Sequence, residues 1–126
     1  MVTVQIKDKV LPLHFGMHVA EFMAPLFDEK VGSVEKSAML ISLAHENYLK
    51  IDRKAERIMD EGELYAAIED ATMTGDAATV ESVGKVWREF TDSALVKSLL
   101  SKAKEVVEDS KKKVAGKRLK SSHSEY

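Results

Sequence analysis

The chain is 126 residues long, which fits a single domain. Hydrophobic residues make up 44% of it and charged residues 32%, and the formal net charge of −2 gives no overall attraction to nucleic acid or anionic lipid. The absence of cysteine excludes disulfides, zinc–thiolate sites and thiol nucleophiles. No run of about 18 apolar residues and no secretory signal pattern is present, so we expect a soluble, cytoplasmic protein.

The charge is unevenly distributed along the chain. The segment from Lys111 to Tyr126 contains five lysines and one arginine against a single acid, Glu125, whereas the preceding part is acidic. Apolar residues also become sparse after Val114. We therefore predict a helical domain over residues 1–113 and a basic, flexible tail over residues 114–126.

The N-terminal segment has the pattern of a β-hairpin. Apolar residues alternate in Val2–Ile6, a polar turn follows at Lys7–Lys9, and alternation resumes up to Phe15. Pro12 cannot donate a hydrogen bond, so the second strand should be an edge, or its nitrogen should face away from its partner. Because two strands alone are marginally stable, they need a core beneath them or a neighbouring subunit beside them. A subunit contact would use the alternating apolar residues Val4, Ile6, Leu11, Leu13 and Phe15.

The rest of the chain shows helical spacing. After Gly16, apolar residues recur as far as Leu26, with Pro25 expected to end or kink that helix. Ser33 is the expected N-cap of a helix that runs from Val34 to about Arg53.

Local capping signals then mark two further helices. Asp60 and Glu63 form a variant of the capping box, and Gly75 is a suitable stop for the helix that they begin. Asp76 or Thr79 can cap the next helix, whose inward residues are predicted to be Val80, Val83, Trp87 and Phe90. A last helix is expected from about Ser93. The predicted fold class is mainly α, a compact helical domain of about four to five helices with a short N-terminal β-hairpin.

No catalytic or metal-binding pattern is complete. His14 and His18 are four residues apart with Glu21 nearby, but Gly16 separates a strand from a helix between them. His45 and Glu46 begin a zincin-like sequence that lacks its second histidine. We therefore expect no enzyme, no cofactor and no bound metal.

A partner-binding surface is the sharper interpretation of the C-terminal apolar stripe. Its residues recur at helical spacing and could form a groove for a partner helix, although core packing is the ordinary explanation for the first two and the favoured one. The stripe comprises Trp87, Phe90, Leu95, Leu99 and Val106.

Four stretches also resemble the tail assembly chaperones of long-tailed bacteriophages and related prophages. They are a strand running into Phe-Gly, an apolar helix leading to Asn-Tyr, an acidic helix start, and a Trp-containing helix, and together they span roughly residues 2–100. They lie at residues 13–17, 43–50, 60–69 and 86–97.

The resemblance implies a small, mostly helical binding protein. Members of that family bind the tape measure protein, keep this long helical chain soluble while the tail tube assembles, and do not stay in the finished virion. They are expected to form homo-oligomers and to contact the tail tube protein through a C-terminal extension. The alternative hypothesis is a small helical nucleic-acid-binding or regulatory protein that uses the basic segment from Lys111 to Lys120. That segment lacks interleaved aromatic residues, which makes nucleic acid a less favoured partner.

Overall fold

The computed structural model describes residues 2–98. The chain divides into two units, Met1–Ser93 and Ala94–Tyr126, and the described part of the second, residues 94–98, is helical. The fold is mainly α with an N-terminal hairpin, as predicted. In chain order its elements are β1 (Val2–Ile6), β2 (Lys9–Leu13), α1 (Met17–Phe22), a 3-10 helix (Ala24–Phe27), α2 (Ser33–Ile51), α3 (Glu61–Thr74) and α4 (Ala77–Thr91).

The two strands form an antiparallel hairpin whose apolar face lies in the core. The register pairs Val2 with Leu13 at the open end and Ile6 with Lys9 next to the turn. Lys7, in the turn, adopts a positive φ of 57°. β1 packs against α4 and β2 packs against α2, so helices of the same unit supply the core that a two-stranded sheet requires. The inward side chains, each at most 2% exposed, are Val4, Ile6, Leu11 and Leu13.

The outer edge of β1 is capped by side chains of α4. The backbone N–H of Gln5 donates to Ser82 Oγ at 2.7 Å, and that of Lys7 donates to Thr79 Oγ1 at 2.9 Å. These hydroxyls accept from N–H groups that a neighbouring strand would otherwise occupy.

The outer edge of β2 is held by α2. The Pro12 carbonyl oxygen lies 3.0 Å from His45 Nδ1, and the His14 N–H donates to the Ala44 carbonyl at 3.0 Å. Because the nitrogen and carbonyl of one strand residue point to the same side, the Pro12 nitrogen also faces away from β1. The prediction for Pro12 is confirmed.

One side chain of α2 caps the N-terminus of α1. Asn47 Oδ1 accepts from the backbone N–H groups of Gly16 and His18 at 3.1 Å each and of Val19 at 3.4 Å. Gly16, the N-cap of α1, has no capping side chain of its own. A Cβ at Gly16 would lie 3.0 Å from Asn47 Oδ1 and 2.8 Å from His14 Cδ2, so a larger residue would displace the His14 ring and crowd the Asn47 cap. α1 ends at Phe22, before the expected break at Pro25, and Pro25 lies in the first turn of the separate 3-10 helix Ala24–Phe27.

The caps of α2 and α3 agree with their sequence signals in two cases of three. The reciprocal capping box of Asp60 and Glu63 is present, and Gly75 ends α3 in the left-handed conformation with φ 76°. The Ser33 prediction is wrong by one position, since Gly32 is the N-cap of α2 and Ser33 its first residue. No side chain caps that end, so the hydroxyl gave a misleading signal there.

The N-cap of α4 is Asp76, whose side chain accepts from Thr79 N–H. Of its predicted inward residues, Val83 and Phe90 are buried at 8% and 2% exposure. Val80 is 45% exposed, which corrects the prediction for that position. It lines a shallow cavity of about 130 Å³ between α2, α3 and α4 that is open to solvent. Within residues 2–98, no helix is long and apolar enough to cross a membrane.

Candidate functional site

A surface groove lies between α1, α2 and the start of α3, and we call it the α1–α2 groove. Its volume is about 400 Å³, within the range of roughly 300–1,000 Å³ typical of ligand pockets. It is lined by His18, Phe22, Met39, Leu43, Glu46 and Glu61. The groove therefore combines an apolar floor with two carboxylates.

The apolar floor comes from two helices held in a fixed relation. Phe22 ends α1 and is 55% exposed, although it is a large aromatic residue. Met39 and Leu43 are four residues apart on α2 and half-buried, so they form adjacent positions on one helix face. The Asn47 cap fixes α1 on α2, so Phe22 faces the same opening as these two side chains.

The polar side of the groove is partly neutralised within the chain. His18 Nε2 lies 3.2 Å from Glu46 Oε2, and Arg57 Nη2 lies 3.4 Å from Glu46 Oε1. The His18 ring also packs against Phe22, with centroids 5.0 Å apart. Glu61, in the first turn of α3, has no ion-pair partner among residues 2–98. Among residues 2–98, one carboxylate of the groove is thus paired and the other has no ion-pair partner.

An exposed apolar groove flanked by charge has the character of a surface that binds a partner. Within residues 2–98, no group of three or more His, Asp or Glu side chains could hold a metal ion. His14 is exposed, whereas His18 pairs with Glu46.

His45 has a structural role. It is fully buried, and the Ile58 N–H donates to its Nε2 at 3.0 Å. Since that N–H can only donate, the ring must be the tautomer that carries its hydrogen on Nδ1 and donates to the Pro12 carbonyl. The two bonds join β2, α2 and the segment that precedes α3.

The predicted partner-binding residues of α4 lie away from the α1–α2 groove. Phe90 belongs to the core, with its ring centroid 5.5 Å from Phe15 and 6.0 Å from Trp87. Trp87 is half-buried and donates from Nε1 to Ser37 Oγ at 2.9 Å. For these two residues the core alternative describes the structure.

The other members of that predicted stripe remain predictions. Leu95 lies in the helical residues 94–98, whereas Leu99 and Val106 lie outside the described residues. The basic segment from Lys111 to Lys120 also lies outside them.

The residues predicted for self-association are used within one chain. Four of them fill the core, and Phe15 is half-buried against Phe90. The N–H groups of Gln5 and Lys7 and the carbonyl of Pro12 also bond to α4 and α2 of the same chain, so these edge groups are not left for another subunit. A homo-oligomer stays a prediction, but a contact through Val4, Ile6, Leu11, Leu13 and Phe15 loses its structural basis.

One sequence feature does indicate the groove, although the single apolar stripe assigned to each helix does not. α2 is apolar on more than one face, because Met39 and Leu43 lie beside the buried residues Leu40 and Ile41. A wide apolar arc on one helix indicates more than one packing surface. In the sequence Asn47 stands out only as part of an Asn-Tyr pair, and no local pattern predicts its contact with α1.

Comparison with protein families, with curated protein sequences and with solved structures finds no match to this chain.

Proposed function

We propose that the protein is a tail assembly chaperone of a long-tailed phage or prophage, which binds the tape measure protein and keeps it soluble during tail tube assembly. The observation that carries this proposal is the α1–α2 groove, in which the exposed Phe22 and the half-buried Met39 and Leu43 lie beside the carboxylates of Glu46 and Glu61. The resemblance over roughly residues 2–100 supports it. The protein then acts by binding, without a cofactor, in the host cell cytoplasm.

The physical argument concerns the aggregation of long helical chains. A helix that is to be packed inside a tube exposes an apolar stripe before the tube forms, and such stripes associate with each other in water. A groove that accepts successive apolar side chains of one helix covers part of that stripe reversibly. Charged residues around the groove keep the complex soluble.

Co-expression with the very long reading frame expected downstream tests the proposal. We expect the full chain to increase the soluble fraction of that protein and to co-purify with it. Phe22→Asp places a charge on the groove floor and should abolish the gain. Phe27→Asp is the matched control, because Phe27 is 65% exposed but does not line the groove.

Two results would contradict the proposal. One is a tape measure protein that is equally soluble with and without the chain. The other is equal protection by wild type and Phe22→Asp, provided that circular dichroism shows both to be folded. Contact with the tail tube protein and formation of a homo-oligomer remain further expectations of the same hypothesis.

The nucleic-acid hypothesis has a separate test. It rests on the basic segment outside the described residues, whereas residues 2–98 carry more acidic than basic side chains. Lysine contacts to phosphate give a steep salt dependence, so filter binding at low and moderate salt decides it. Absence of binding at low salt excludes it.

A further inference from the structure

The two carboxylates of the α1–α2 groove differ in the number of charged partners that they have within the chain. Glu46 is flanked by His18 at 3.2 Å and by Arg57 at 3.4 Å, one on each carboxylate oxygen. Glu61 is exposed and has neither an ion pair nor a side-chain hydrogen bond among residues 2–98. Within the described part of the chain, the groove therefore presents one negative charge without a partner beside its apolar floor.

We infer that the occupant of the α1–α2 groove is a basic amphipathic helix, whose lysine or arginine pairs with Glu61 while its apolar side chains contact Phe22, Met39 and Leu43. This inference rests on the proposed function and adds the chemistry of the partner segment. A cation beside the apolar stripe gains an attractive contact with Glu61. An acidic side chain at the same position is repelled by Glu61 and by the residual field of Glu46.

The geometry of an α-helix meets both requirements. Side chains at positions i and i+4 lie on one face, so two apolar residues one turn apart can reach Phe22 and the Met39–Leu43 pair. A neighbouring position at i+3 or i+7 then carries the cation toward the start of α3, where Glu61 lies. Arg57 does not compete for Glu61, because its guanidinium is engaged with Glu46.

The test uses the full chain and three synthetic helical peptides with identical apolar positions. The flanking positions are lysine in the first peptide, glutamine in the second and glutamate in the third. Fluorescence anisotropy at low ionic strength should rank their affinities as lysine above glutamine above glutamate. One exposed ion pair corresponds to a difference of about two- to fivefold in Kd.

Glu61→Gln identifies the carboxylate responsible. This change should weaken the binding of the lysine peptide about two- to fivefold and leave the binding of the glutamine peptide unchanged. Glu81→Gln is the matched control, because it makes the same charge change at an exposed position of α4 that does not line the groove. The differences in Kd among the three peptides should also shrink as the salt concentration rises from about 20 mM to 500 mM, because salt screens exposed charges.

The outcomes separate the inference from the proposed function. Equal binding of all three peptides, lost in Phe22→Asp, overturns the charge selection and leaves the groove as a binding site. Peptide binding that is insensitive to Phe22→Asp overturns both. Occupation of the groove by a second copy of the chain also overturns the inference. In sedimentation, such a self-association would appear as a dimer. The dimer would be lost in Phe22→Asp and would persist when the peptides are added.

Discussion

At the scale of single residues, a buried imidazole connects three parts of the chain. His45 is 0% exposed, accepts from Ile58 N–H and donates to the Pro12 carbonyl, and both contacts are 3.0 Å long. A buried polar group that is hydrogen-bonded lowers folding stability only slightly, whereas its removal leaves its partners without hydrogen bonds. His45 therefore stabilises the positions of β2 and the segment before α3 relative to α2.

His45→Ala should lower the free energy of unfolding by about 2–4 kcal/mol, since it leaves two backbone groups unpaired and opens a cavity. Urea denaturation followed by circular dichroism measures this loss. His14→Ala is the control and should change stability by less than about 0.5 kcal/mol, because His14 is exposed. Equal stability of the two variants would mean that the hydrogen bonds of His45 are replaced by water.

At the scale of elements, α1 depends on a residue from another helix. Six residues are too few for a stable isolated helix, and α1 has no capping side chain of its own. Asn47 of α2 supplies the acceptor for two of its N–H groups and for that of its N-cap, Gly16. The position of Phe22, and with it the groove, therefore depends on Asn47.

Asn47→Ala should lower the free energy of unfolding by about 1–2 kcal/mol, which is the upper part of the range for the loss of an N-cap. It should also weaken peptide binding in the groove, because α1 then frays. Asn47→Asp keeps the oxygen acceptor and adds negative charge at the N-terminus of α1, so it should retain most of the stability. Amide hydrogen exchange in α1 reports the difference, and equal exchange in both variants would rule out the cap.

Two glycines of α3 and α4 should respond oppositely to the same change. Gly75 has a φ of 76°, so Gly75→Ala should lower the free energy of unfolding by about 1 kcal/mol. Gly84 is inside α4, and a Cβ there meets only Arg88 Nη1 at the ordinary contact distance of 3.8 Å. Gly84→Ala should therefore raise stability by about 0.5–1 kcal/mol. Thermal and urea denaturation would contradict this account if both changes had the same sign.

At the scale of the whole molecule, some aromatic residues lie in the core and others lie on the surface. Phe90 is 2% exposed and joins the end of the hairpin to α4 through Phe15. Phe22 is 55% exposed at the groove. Similar side chains thus serve different purposes because of where the fold places them.

Phe90→Ala should destabilise the protein by about 3–5 kcal/mol, enough to unfold a marginal domain, through the cavity that it leaves. Phe22→Ala should change stability by less than about 1 kcal/mol and reduce groove binding. Denaturation and peptide anisotropy on both variants separate the two effects. A large loss of stability in Phe22→Ala would show that this ring belongs to the core.

The hairpin shows how far local patterns extend. Alternation in Val2–Ile6 correctly predicted which side chains turn inward, and Pro12 correctly predicted the orientation of its strand. The pattern left open whether a subunit or the same chain would cover that face. α2 and α4 cover it, because Thr79, Ser82 and His45 reach the strand edges from those helices.

The sequence by itself determined the elements and most of their ends, as at the capping box of Asp60 and Glu63 and at Gly75, because these signals act within a few residues. Only the tertiary structure decided that His45 and Asn47 are buried connectors and that Phe22, Met39 and Leu43 meet at a groove beside Glu61. Such contacts join residues of different elements. Their formation depends on how the helices pack, and periodicity within one element carries no record of that packing.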